Sequence, residues 1–160
     1  MSVTHVVGVD PGLVHTGVVG LSFFPNRREV HVGHAAVAGP NAKQVEAFAI
    51  TQLALPQHRF IEAYRPRSAF GTDQRMVTAV AEMRKATGGT VLDNTGVKKV
   101  VKQPLMELLG VWKFSTVTHH QDLRSAARIA LLGMLRDEQM NRLLADVVRD
   151  HLAGRTWTIQ

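Results

Sequence analysis

The chain has 160 residues, about one domain's worth, and 45% of them are hydrophobic, so it can bury a sizeable core and is not a disordered tail. It has no cysteine, which excludes a disulfide framework and a thiolate metal site, and no run of about 18 apolar residues, which argues against a membrane helix. Nineteen Lys and Arg against thirteen Asp and Glu give a net charge of +6.

That excess is uneven. Between Arg59 and Lys102 stand nine basic residues (Arg59, Arg65, Arg67, Arg75, Arg84, Lys85, Lys98, Lys99 and Lys102) and four acidic ones. Such a bias suits a polyanionic partner, and equally a solvated surface. The N-terminus lacks a basic flank followed by a long apolar stretch, so a cytoplasmic protein without membrane attachment is expected.

In chain order, residues 3–9 and 17–24 read as strands, joined through Asp10-Pro11-Gly12 and Thr16-Gly17 in "VVGVDPGLVHTGVVGL". Taken alone, this is an ordinary hairpin turn. "PNRR" at 25–28 is a second turn, and "EVHVGHAAVA" from Glu29 a third strand, making an antiparallel meander. Gly39-Pro40-Asn41 breaks the pattern, and Val45, Phe48, Ala49 and Leu53 then predict a helix over 42–54. "HRFIEAY" returns to strand. A helix follows over 72–86 with Met76, Val77, Val80, Ala81 and Met83 on its apolar side, and "GGTVLDN" makes a fifth strand. From residue 96 the chain reads as mostly helical, and no repeat or linker divides it, so residues 1–160 are expected to form one domain.

Three strands, then strands alternating with helices, call for an α/β fold with a mixed five-stranded sheet flanked by helices. Sites in such sheets collect at strand ends. Asp10 closes the first strand and Glu62 ends the apolar run Phe60-Ile61, so neighbouring strands would bring both carboxylates to one rim. In "THHQDLRSAARIALLGMLRDE", Leu123, Ala126, Ala127, Ala130, Leu131 and Met134 define a buried helical stripe with Asp122 at its start and His119 three residues earlier. Asp122 there is either a helix cap or a third site carboxylate.

Together these segments resemble the RuvC-type Holliday-junction resolvases. In that family a strand ends in Asp-Pro-Gly with Thr-Gly shortly after, as at residues 10–17, and a later strand ends in a catalytic Glu, as in "RFIEAYRP". Lysines follow the fifth strand, as in "TGVKKVVK", and an acidic, Ala-rich helix closes the set, as in "HHQDLRSAARIAL". The resemblance implies a ribonuclease H-like fold and hydrolysis of DNA phosphodiesters with two Mg²⁺ or Mn²⁺ ions. Held about 3.5 to 4 Å apart, such ions stabilise both the attacking and the leaving oxygen. Asp10, Glu62 and Asp122 would be the catalytic, metal-binding carboxylates. Gly12 would permit a close turn beside the metals, and Thr16-Gly17 would let the second strand return without crowding the scissile phosphate.

The last helix departs from the family pattern, which carries an Asp or His three residues before a final Asp. Matching His-x-x-Asp makes His119 and Asp122 the pair and His119 the fourth ligand or proton shuttle; matching the Ala-rich run places Ser125 where the final Asp would stand. The first register is preferred, because a serine hydroxyl is a poor replacement for a carboxylate. For DNA contacts the resemblance implies an aromatic residue after the Glu, either Tyr64 or Phe70, stacking on an opened base and worth about 1 to 3 kcal/mol. Arg65, Lys98, Lys99 and Lys102 would meet phosphates. A four-way junction is nearly two-fold symmetric, so paired cuts imply a homodimer, with the 72–86 helix a candidate interface.

Expected partners are thus branched DNA and a second copy of the chain, with no small-molecule cofactor, and the setting is the cytoplasm (the host's if a phage encodes the protein). A YqgF-like RNA nuclease and a non-catalytic branched-DNA binder are the alternatives. A sugar-kinase-like ATPase would need two domains of this kind, and 160 residues hold one.

Overall fold

The structure is a computed structural model that describes residues 2–66, 71–114 and 118–160. Strand β1 (Thr4–Asp10) pairs antiparallel with β2 (His15–Phe24), and β2 with β3 (Glu29–Ala38), as the meander requires. Strand β4 (Arg59–Glu62) then lies parallel to β1 on its other side, and β5 (Thr90–Leu92) parallel to β4. Parallel neighbours need helical crossovers. These are α1 (Ala42–Ala47) with α2 (Ala49–Leu53) before β4, and α3 (Gln74–Thr87) before β5.

Beyond β5 come α4 (Val97–Val100), α5 (Gln103–Leu108), α6 (His120–Arg136) and α7 (Glu138–Leu152). The chain ends in a short strand, β6 (Thr158–Ile159), parallel to β3 at Glu29 and Val30. The sheet therefore has six strands in the order β5-β4-β1-β2-β3-β6, not five. Two residues are too few to show an alternation in sequence. What holds β6 is non-local: Thr158 N–H donates to the Arg28 carbonyl, Gln160 N–H to Val30, and the Trp157 indole to Asp150 at 3.0 Å.

Period-two alternation sends neighbouring side chains to opposite faces. Val6, Val19, Phe60 and Leu92 pack under α6 and α7, whereas Val7, Val18, Ile61 and Met83 pack with α1 to α3. The central strands are covered on both faces, which is why β1 and β2 read as nearly continuous apolar runs. Helix α6 lies directly on the sheet at Gly8, where an added Cβ would stand 1.9 Å from the Ala126 carbonyl oxygen. The Ala-rich stripe is thus a close helix-sheet contact, and Ala126, Ala127 and Ala130 are fully buried in it.

Two helices differ from the sequence pattern. The helix expected over 42–54 breaks at Phe48, whose extended backbone (φ −64, ψ 132) ends α1 and starts α2. On α3 the buried residues are Ala79, Met83 and Thr87; Val77 remains 42% exposed and Ala81 faces solvent. Among the described residues no helix is long and apolar enough to cross a membrane.

Candidate active site

The β1/β4 register, with Val9 beside Ile61, carries Asp10 and Glu62 to the same end of the sheet. Both share the faces of Val6 and Phe60, the side that α6 covers. Asp122, third residue of α6, reaches the same point because the first turn of the helix rests on Gly17. A Cβ at Gly17 would lie 2.6 Å from the Asp122 carbonyl oxygen and 3.2 Å from its Cβ. Gly17 therefore makes room for α6.

The turn between Asp10 and Gly17 is pinned by Thr16, which is fully buried. Its hydroxyl donates to the Gly39 carbonyl at 2.8 Å and accepts the Gly12 N–H at 3.2 Å. A Cβ at Gly12 would meet the His15 carbonyl at 2.1 Å, so the turn closes only with glycine there.

Electrostatically the rim is strained. Burial, then the charge and hydrogen bond of Glu62, then the charge of Asp122, push the Asp10 carboxyl up to about 9. No cationic side chain pairs with Asp10 among the described residues. Glu62 accepts a hydrogen bond from the Asn94 amide, which fixes its orientation toward Asp10. A carboxyl group held in this way needs either a proton or a cation.

Sequence reasoning missed His15. One donor atom each from His15, His119 and Asp122 lie within 4.8 Å of one another. The His15 and His119 rings stack with centroids 3.9 Å apart, and His119 Nδ1 is 3.9 Å from an Asp122 carboxylate oxygen. The available signal was the hairpin register: Gly17 pairs with Asp10, and His15, two residues earlier, shares its face at the same rim. Among the described residues no side chain caps the start of α6, so the capping alternative for Asp122 finds no hydrogen bond there in its favour. Carboxylate oxygens and imidazole nitrogens together fit a divalent ion. The oxygens suit Mg²⁺, and the two rings favour Mn²⁺ or a later transition ion.

Cations border this rim. Lys98 and Lys99, exposed on α4, line a cavity of about 300 Å³ with Glu62, Asn94, Ser125 and Arg128. Both alternatives for the fourth position thus lie near the carboxylates: His119 beside Asp122, and Ser125 on the Glu62 side. Lys102 is exposed at the start of α5.

The other nucleic-acid candidates have partners within the fold. Arg65 pairs with Asp93 at 2.7 Å, and Thr95 together with Arg65 holds the Asp93 carboxyl down at about 2. Tyr64 is half-buried, and its hydroxyl accepts the Asp73 N–H at 3.0 Å at the start of α3. Phe70 and Arg67 lie outside the described residues.

A mixed sheet of this order, with a helix laid across its centre and carboxylates at the strand ends, is the ribonuclease H-like fold. Solved resolvase structures share it at low sequence identity. Thermus thermophilus RuvC aligns with a TM-score of 0.54 at 14% identity over 81% of this chain and 97% of that one. The same organism's RuvC in complex with Holliday junction substrate gives 0.53 at 16%, covering 80% and 90%. The yeast mitochondrial Holliday junction resolvase gives 0.52 at 14%, covering 91% and 84%. No family model and no curated protein matches the chain. The likeness is one of fold.

Proposed function

We propose that this protein is a metal-dependent, structure-selective DNA endonuclease that resolves Holliday junctions and other branched DNA as a homodimer. The observation that carries this reading is the Asp10 carboxyl, half-buried against Glu62 and Asp122 with no cation of its own among the described residues, at the strand-end rim of a ribonuclease H-like sheet. Asp10, Glu62 and Asp122, with His119 and His15 beside them, would hold two divalent ions, whose chemistry when bound is to stabilise charge on the attacking and leaving oxygens of a phosphodiester. The rest falls to the chain. Thr16 and Gly12 keep Asp10 in place, Asn94 orients Glu62, and Lys98, Lys99 and Lys102 attract the backbone without reading sequence. Tyr64 offers a half-buried ring two residues beyond Glu62.

The deciding experiment presents a labelled four-way junction, a fork, a linear duplex and RNA, each with Mg²⁺, Mn²⁺ or EDTA. Metal-dependent cutting of the junction or fork is expected. Cutting of RNA alone identifies an RNA nuclease, and binding without cutting identifies a junction binder.

The metal group leads to a sharper expectation. Removing one good ligand or general acid/base costs roughly 10²- to 10⁴-fold in rate. His119→Ala is therefore expected to lower single-turnover cleavage on that scale with junction affinity kept, His15→Ala to lower it less, and Ser125→Ala to change it far less than either. A crippled Ser125→Ala beside an unaffected His119→Ala would overturn this assignment of the last helix.

Paired cuts need two sites. On α3, Val77 and Ala81 leave an apolar strip that continues through Val80 and Val91 beside Arg84 and Lys85. This strip is the expected dimer contact. Val77→Glu should convert a dimeric mass in light scattering to a monomeric one and turn paired incisions into single nicks; an unchanged mass would return the strip to ordinary surface.

A further inference from the structure

Arg128 carries a charge that has no ion-pair partner among the described residues. It stands on α6 six residues beyond Asp122, and its Nε is buried with no hydrogen-bond partner among the described residues. Arg124, one turn earlier, is differently placed: its guanidinium lies over the Trp112 ring at 4.0 Å and its Nε donates to the Trp112 carbonyl at 2.6 Å. Arg128 meets the same ring only at 5.6 Å.

Two guanidinium groups four residues apart on a helix repel. Burial and Arg124 both oppose the Arg128 charge, and Glu62 offsets them only in part. Glu62 forms no ion pair with it, being committed to Asn94 and Asp10. A buried donor without an acceptor is costly, and the half-buried Arg128 that carries this Nε lines a cavity.

The cavity beside it shows what that acceptor is. Glu62, Asn94, Lys98, Lys99, Ser125 and Arg128 line it, so three cations face one carboxylate. A cation would be repelled at the Arg128 end, while an anion finds a guanidinium, two ammonium groups and two neutral polar side chains. The flat guanidinium suits the oxygens of a phosphate group. The cavity also opens against Glu62, so its ligand would sit next to the carboxylate rim.

We infer that this cavity between α4 and α6 binds a backbone phosphodiester of the nucleic acid adjacent to the bond that is cut, with the guanidinium of Arg128, a residue of the cavity lining, as the group that fixes its position. The inference rests on the nuclease reading for the identity of the strand, but not for the phosphate chemistry.

The test follows the Nε–Hε proton of Arg128 by NMR, assigned through bonds, in metal-free Asp10→Asn protein titrated with a short single-stranded oligonucleotide and, separately, inorganic phosphate. A saturable shift of Arg128 with the Arg124 signal unmoved is expected. In the same background Arg128→Gln should weaken four-way-junction binding about tenfold and lower the slope of log affinity against log salt by about one, the loss of one phosphate contact. An unmoved Arg128 signal at saturating oligonucleotide, with affinity and slope unchanged in Arg128→Gln, overturns the inference. If phosphate shifts Arg128 but no nucleic acid binds, the pocket stands and the nuclease reading fails.

Discussion

Asp10→Asn is expected to abolish metal-dependent cleavage, keep junction binding, and make the metal-free protein more resistant to heat. The loss of rate is on the order of 10³-fold, the scale on which removing a preorganised charge-stabilising group acts. Binding survives because the lysines of α4 and the α5 start are untouched. The thermal gain follows from linkage. In the folded chain the Asp10 carboxyl keeps its proton up to about pH 9, against 3.8 for an ordinary aspartate. Between these values the folded state holds a proton that the unfolded state has released, so stability is greatest at the acid end and falls as pH rises through the window.

Asparagine has no such proton to lose. In EDTA, the melting temperature of wild-type protein should therefore fall more steeply between pH 5 and 9 than that of Asp10→Asn, with the variant ahead by roughly 5 °C near pH 8. Divalent ions should reverse the order, stabilising wild type increasingly as pH rises because they replace the proton. Parallel pH profiles for the two proteins would remove the half-buried, carboxylate-crowded Asp10 from the account. Wild-type turnover in Asp10→Asn would remove it from the active site.

What the sequence made legible was whatever depends on local pattern. Asp10 and Glu62 could be placed at strand ends because each terminates an apolar run, and Asp122 at a helix start because the Ala-rich stripe begins beside it. Contacts across the fold were hidden. His15 joins the group only through the β1/β2 register and the seating of α6 on β2. Tyr64 and Arg65 meet Asp73 and Asp93, which lie on later segments, so their free-surface reading could not be checked from sequence. Arg128 is distinguished only by the cavity it lines and by its unpaired Nε, both set by contacts across the fold. On α3 the expected apolar side holds only in part: Met83 is buried, Val77 and Ala81 are exposed, and the buried Ala79 and Thr87 were not in it.

Gly17 links this packing to the chemistry, and Gly17→Ala is expected to damage cleavage more than stability. The alanine methyl would arrive 2.6 Å from the Asp122 carbonyl oxygen and 2.7 Å from its carbonyl carbon, both backbone atoms that no side-chain rotation can move aside. The first turn of α6 must lift, and the Asp122 carboxylate and His119 lift with it. A misplacement of about 1 Å in a reacting constellation can cost 10²-fold in rate, while overpacking of one methyl group costs about 1 to 3 kcal/mol. Gly8→Ala makes the comparison, because its methyl would strike the Ala126 carbonyl at 1.9 Å, in the middle of the helix where α6 cannot pivot about a free end. That variant should lose more stability than Gly17→Ala. Circular dichroism melts together with single-turnover cleavage of a four-way junction separate the two: Gly17→Ala should fold, bind the junction and cut it roughly a hundredfold more slowly, with Mn²⁺ affinity reduced. Full cleavage in a folded Gly17→Ala protein would show that α6 can shift without carrying Asp122 out of reach of Asp10.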